Sequence, residues 1–251
     1  MCPPFGFYMK HTTTNFYIPH EFIQNGRVKF PAGESRHLVK VLRVKQDDEV
    51  AVVDGAGKAY WVKITRADDE YARGEIIRPA DSNPEPNIEV TLAVGTIKPR
   101  RLEWAWDACV QLGVSRLIPL RTDYGLDRIR EDGKFSERLT LVSIRAMKQS
   151  GRAFLPDVSP PANLDEVLSQ QKGNRIFLAD PEGLPNFPVE RPKLGEKILL
   201  LVGPEGGFSA EERRIIADAG GIYISLGPRR LRAETAAVVL STLALRWTED
   251  I

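Results

Sequence analysis

The sequence predicts an α/β protein in two parts, a small β-barrel followed by an α/β domain on a mostly parallel sheet. Three observations carry this reading. Short runs rich in β-branched and aromatic residues recur up to Pro79. A break with three prolines and two asparagines follows, from Arg78 to Asn87. Beyond it, apolar strand-like runs alternate with amphipathic helical stretches, the pattern of parallel strands joined by covering helices. The predicted boundaries are 1–80 for the barrel, 81–87 for the linker and 88–251 for the α/β domain.

In the barrel, strands are expected at 15–19, 26–30, 48–55, 59–67 and 72–79. Asp54-Gly55 and Gly57-Lys58-Ala59 supply hairpin turn chemistry. A helix at 34–43 would put Arg36, Lys40 and Arg43 on one face and turn Leu38, Val41 and Leu42 inward. In the α/β domain, strands are expected at 88–97, 114–120, 175–180, 197–203 and 222–227. The runs at 198–202 and 222–226 are continuously apolar, as central strands are. Helices are expected at 100–113, 136–150, 209–220 and 233–247, the second opened by Ser136. Leu102, Trp106, Cys109 and Leu112 form one helical stripe.

Composition narrows the class. Hydrophobic residues make up 42% and charged residues 27%, ordinary for a soluble globular protein. A net charge of +1 means that any basic surface must come from local clustering. Two distant cysteines and three scattered histidines predict neither a disulfide framework nor a metal site. No apolar run reaches the ~20 residues of a membrane span, and the first residues lack a signal-peptide pattern. The expected compartment is the cytoplasm.

Two strand ends stand out. Residues 199–212, Leu-Leu-Leu-Val-Gly-Pro-Glu-Gly-Gly-Phe-Ser-Ala-Glu-Glu, drop from an apolar run into glycines before a helix. Ser209 and Glu212 have capping-box spacing, which fixes the helix start. The glycines and Glu205 are not needed for that cap. They fit either a tight connection or a loop shaped around a ligand, since ligands in open α/β sheets sit beyond the carboxyl ends of strands. The pattern is neither a dinucleotide GxGxxG nor a GxxxxGK phosphate loop. The second end, 224–239, places Arg229, Arg230 and Arg232 at a helix N-terminus, where the dipole is already positive. They are either solvated or answered by an anion or acids.

Basic residues also cluster at Arg36, His37, Lys40, Arg43 and Lys45, at Lys98, Arg100 and Arg101, and at Arg145, Lys148 and Arg152. Acids gather elsewhere, at 47–49, 68–70 and 81–85. This segregation favours a groove for a nucleic-acid backbone over three solvated faces.

The two strand ends, taken together, resemble the C-terminal signature of the SPOUT methyltransferase superfamily. Within it the chain is similar to the 16S rRNA uridine-N3 methyltransferase family (ribosomal RNA small subunit methyltransferase E). The barrel stretch His37–Gly57, the stretch Gln111–Leu120 and the stretch Met147–Val158 carry the likeness along the chain. It departs from the family's usual pattern at Asn15, Gln111, Arg145 and Lys148. The resemblance implies a PUA-like β-barrel before a SPOUT-type α/β domain whose C-terminal segment threads a trefoil knot. It implies S-adenosyl-L-methionine as cofactor, held by Leu178, Val202, Gly203, Glu205, Gly206, Gly207, Leu226, Gly227 and Leu231. The partners implied are 16S rRNA, within the small ribosomal subunit, and a second copy in a homodimer. RNA would be held by Arg36, His37, Lys40, Arg43, Lys98, Arg101, Gln149 and Arg152. Uracil N3 must lose a proton to become a nucleophile. Glu205 and Glu234 are the candidate acceptors, and Arg232 or Arg152 would stabilise the anion. Two other readings stay open: a non-catalytic RNA-binding or ribosome-assembly protein, and a SPOUT methyltransferase acting on another RNA.

Overall fold

The computed structural model describes residues 15–81, 85–126, 133–170, 173–188, 190–193 and 195–250. Cys2, His11 and the centre of the expected linker lie outside them. The chain divides into two compact units, 1–84 with 147–155, and 85–146 with 156–251.

The first unit contains β1 (Phe16–Tyr17), β2 (Ile23–Gln24), β3 (Arg27–Lys29), α1 (Ala32–Arg36), β4 (Glu49–Val53), β5 (Ala59–Arg66) and β6 (Arg73–Pro79). Its sheet runs β1-β4-β5-β6-β3-β2, and only β1 and β4 pair in parallel. This is the small, mostly antiparallel sheet expected of the barrel, with β1 and β2 as its outer strands. Alternation selects its core: Val50, Val52, Val62 and Ile64 are buried, and Lys63 between the last two is exposed.

The expected helix at 34–43 is corrected. After α1 the chain widens into a π-helical turn, His37–Val41, where Leu42 N–H donates to the His37 carbonyl at 3.0 Å. The extra residue in that turn breaks the i, i+4, i+7 register. Arg43 follows with φ 55°, off the helix, and Val41 is 62% exposed instead of buried. The departure lets Val44 reach the core.

The β4–β5 hairpin turns on Gly55 and Gly57, both at positive φ. Asp54 Oδ1 accepts from Ala56 N–H at 2.8 Å and Lys58 N–H at 3.0 Å. The segment 147–155 is fastened to this hairpin. Gly57 N–H donates to the Ala153 carbonyl at 3.2 Å, and Leu155 N–H to the Gly55 carbonyl at 3.0 Å. Met147 and Ala153 pack with Val53.

The second unit holds β7 (Glu89–Gly95), α2 (Pro99–Leu112), β8 (Arg116–Arg121), most of α3 (Lys134–Ser150), β9 (Asp157–Val158), β10 (Ala162–Asn163), α4 (Leu164–Gln170), β11 (Arg175–Leu184), β12 (Lys197–Val202), α5 (Ala210–Asp218), β13 (Ile222–Ile224) and α6 (Ala233–Trp247). All its strand pairs are parallel, in the order β10-β8-β7-β12-β11-β13, with β9 beside β8. Successive side chains leave opposite faces. Ile198, Leu200 and Val202 join the core under α2, α3 and α6, while Leu199 and Leu201 join the one under α4 and α5.

Sequence and structure part at three places here. Of the run at 222–226, Ile222–Ile224 form β13, an edge strand, not a central one. Helix α3 starts at Lys134, so Ser136 lies inside it and does not cap it; its carbonyl accepts from Thr140 Oγ1 at 3.0 Å. β11 continues past 180 to Leu184 through an irregularity that pairs both Ala179 and Leu184 with Ile224.

Candidate functional site

The carboxyl ends of the parallel strands gather the candidate residues of the second unit. β12 ends at Val202 and leads through Gly203–Phe208 into α5. The capping box forms as its spacing predicts: Ser209 Oγ accepts from Glu212 N–H, and Glu212 Oε2 from Ser209 N–H at 2.8 Å. Glu212 is only 7% exposed, and its Oε1 accepts from Asp123 N–H at 3.0 Å. One carboxylate thus starts α5 and anchors the loop after β8.

The buried acid of this stretch is Glu212, whereas Glu205 is exposed. Arg101, on the first turn of α2, donates from Nη1 to Glu205 Oε1 at 2.8 Å. Its Nε lies 3.6 Å from Glu234 Oε1. Arg230 donates to the Glu205 carbonyl at 3.3 Å. Glu234 sits in the first turn of α6, 8% exposed, and its buried Oε2 has no hydrogen-bond partner among the described residues. A buried carboxylate oxygen left unmatched is costly, so this atom suits an N–H donor brought by a ligand.

The loop glycines answer to their own surroundings. A Cβ on Gly203 would stand 2.9 Å from the Gly207 backbone carbon, and one on Gly206 would stand 2.8 Å from Tyr124 Cβ. Gly207 has φ +75°. These positions exclude side chains without any ligand. Gly227 differs: its φ of +102° requires glycine, yet nothing among the described residues stands within 4 Å of where a Cβ would be. The side chains of Leu178 and Val202 are buried in the core, leaving their backbone groups as the parts able to meet a ligand. Leu226 and Leu231 are half-buried against the α6 side of the sheet. Arg232 is the exposed N-cap residue of α6.

The basic residues separate into distinct environments. Arg36 and Arg43 are exposed, His37 is half-buried with its ring 6.0 Å from that of Phe16, and Lys40 pairs with Asp69 at 3.0 Å. Lys98 is the exposed N-cap residue of α2, and Gln149 is exposed. The third cluster does not form one basic face. Arg145 pairs with Asp107 at 2.7 Å, Lys148 with Glu34 at 2.7 Å, and Arg152 is buried. Sequence reasoning missed Glu212's second bond and the neighbourhood of Tyr124; the capping box announces only the bonds with Ser209, and Tyr124 lies in no motif. Among the described residues no group of three or more His, Cys, Asp or Glu side chains could hold a metal ion. No helix among them is long and apolar enough to cross a membrane.

Comparisons with known proteins agree with this layout. Residues 30–77 match the family model of an RNA methyltransferase PUA domain. A ribosomal RNA small subunit methyltransferase E of Rickettsia conorii is 29% identical, over 88% of this chain and 91% of its own length. One of Aquifex aeolicus is 27% identical, over 86% and 92%. Among solved structures, the ribosomal RNA small subunit methyltransferase E of Neisseria gonorrhoeae, bound to S-adenosyl methionine, superposes with a TM-score of 0.84 at 27% identity, covering 93% of this chain and 97% of that one. A Legionella pneumophila protein in complex with the same cofactor gives 0.84 at 28% identity, covering 94% and 98%. Residues 83–245 match the model of the RNA methyltransferase domain, and the chain belongs to that family.

Proposed function

We propose that this protein transfers a methyl group from S-adenosyl-L-methionine to N3 of a uridine in 16S rRNA of the small ribosomal subunit. The observation that carries this reading is the buried Glu234 carboxylate: its Oε2 is unmatched among the described residues, while its Oε1 lies 3.6 Å from Nε of the arginine that holds the β12–α5 loop. The names and cofactor of the similar proteins support it.

The cofactor supplies an electrophilic methyl group when bound. In this reading the backbone at Leu178, Val202, Gly203, Gly206, Gly207, Leu226, Gly227 and Leu231 holds it, with Glu205 at the rim. Glu234 accepts the N3 proton, and Arg232 stabilises the anion that N3 becomes. Orientation of nucleophile and methyl does the rest. Arg36, His37, Lys40, Arg43, Lys98 and Gln149 bind RNA. The protein acts as a cytoplasmic homodimer, and its C-terminal segment threads a trefoil knot.

Titration calorimetry with S-adenosylmethionine and methylation of undermethylated small subunits test this. Saturable binding and a methyl group at uridine N3 are expected, with Glu234→Gln slowing single-turnover methylation by about 100-fold, within the usual range for a general base. A protein that binds RNA but no cofactor, alone or with RNA, would be the assembly protein instead. A product on another RNA would keep the chemistry and overturn the substrate.

A further inference from the structure

Tyr124 lies in the loop after β8, and its side chain is 57% exposed. An aromatic ring left in water on a loop is a candidate recognition element when the loop holds it still. The described residues of this loop, Thr122–Leu126, are held by several hydrogen bonds. Gly125 N–H donates to the Thr122 carbonyl at 3.0 Å. Leu126 N–H donates to the Thr96 carbonyl at 3.0 Å, and Thr96 Oγ1 donates back to the Leu126 carbonyl at 3.0 Å. Asp123 N–H is taken by the buried Glu212. None of these bonds uses the tyrosine ring. Its Cβ, meanwhile, is pressed against Gly206 so closely that no side chain fits there.

We propose that Tyr124 is a substrate-positioning residue on which the target uracil stacks beside the Gly203–Gly207 loop. The inference rests on the methyl-transfer reading. A base presented for methylation must leave its own stack and needs a flat apolar surface in exchange. A ring fixed next to the loop proposed to hold the cofactor offers one, and stacking on it tolerates loss of the hydroxyl.

The test compares Tyr124→Phe and Tyr124→Ala with the unaltered protein on undermethylated small subunits, alongside calorimetric affinity for S-adenosylmethionine and urea midpoints. Tyr124→Phe should stay within about 2-fold in KM and kcat. Tyr124→Ala should raise KM for the subunit by about 10-fold or more, the scale of one lost stack. Its cofactor affinity and urea midpoint should not move. Unchanged KM in Tyr124→Ala would overturn the proposal, as would an equal loss in Tyr124→Phe. Loss of cofactor affinity in step with KM would overturn it too, making the ring a prop for the loop. Failure of the unaltered protein to bind cofactor or methylate N3 would instead sink the methyl-transfer reading, and this inference with it.

Discussion

Arg101 is the residue whose removal should disturb the site most. Its guanidinium lies 2.8 Å from Glu205 and 3.6 Å from Glu234. At an effective dielectric of about 20, the Glu234 contact alone is worth about 5 kcal/mol of gross attraction. Arg101 keeps 33% of its side-chain surface, so water screens part of that. Breaking a fully buried pair costs about 3–5 kcal/mol. For this one, Arg101→Met should cost about 2 kcal/mol, most of it from leaving Glu234 buried without a cation.

Urea unfolding followed by tryptophan fluorescence reads this well, because Trp104, Trp106 and Trp247 lie in the second unit and only Trp61 in the first. With a slope of about 2 kcal/mol per molar urea, the midpoint should fall by about 1 M. Glu234→Gln removes the charge that needs the cation. Arg101→Met combined with it should therefore recover about half of the loss, a coupling of about 1 kcal/mol. A single variant within about 0.5 kcal/mol of the unaltered protein, or strictly additive variants, would refute the argument that this pair is coupled.

Glu212→Ala should cost about 2–3 kcal/mol, since it removes the carboxylate half of the α5 capping box and the anchor of Asp123 together; the same urea assay checks it. Burial pushes the Cys109 thiol from 9.0 to about 12, against a smaller pull from its hydrogen bond with Ser241. The unfolded chain therefore ionises first as pH rises, so this group's stability contribution is intact below about pH 9 and is lost toward pH 12. Cys109→Ala should remove that part of the alkaline decline, read from urea midpoints at about pH 8 and about pH 10.5. Replacing Arg36, Lys40 and Arg43 by alanine should weaken RNA binding and reduce its salt slope by about 1–2, read from titrations at several salt concentrations, with cofactor affinity unchanged.

Periodicity made much of the second unit legible. The strand at 197–202 and the helix at 233–247 follow directly from continuous apolar character and helical spacing. The same signal misplaced β13, because an edge strand whose Ile222 and Ile224 pack against the core reads as apolar as a central one. The helix at 34–43 failed for another reason: a π turn is set by where Val44 must go, which spacing cannot express. The fastening of 147–155 to the β4–β5 hairpin was hidden because its partners are far apart in sequence and bond through backbone.

The glycines of 203–207 mark the limit of reading a site from residue type. Their spacing suggested room made for a ligand. The structure shows that two of them are required by neighbours only a few ångströms away and a third by its positive φ. A bulky substitution at Gly206 would therefore collide with Tyr124 first, and lost cofactor binding would report that collision. Glu234 discriminates better. Glutamine keeps its shape and burial while changing what its unmatched oxygen can accept, so a fold-neutral loss of methylation would speak for chemistry. The residue best suited to test the site is the one whose environment is incomplete, not the one whose environment is already full.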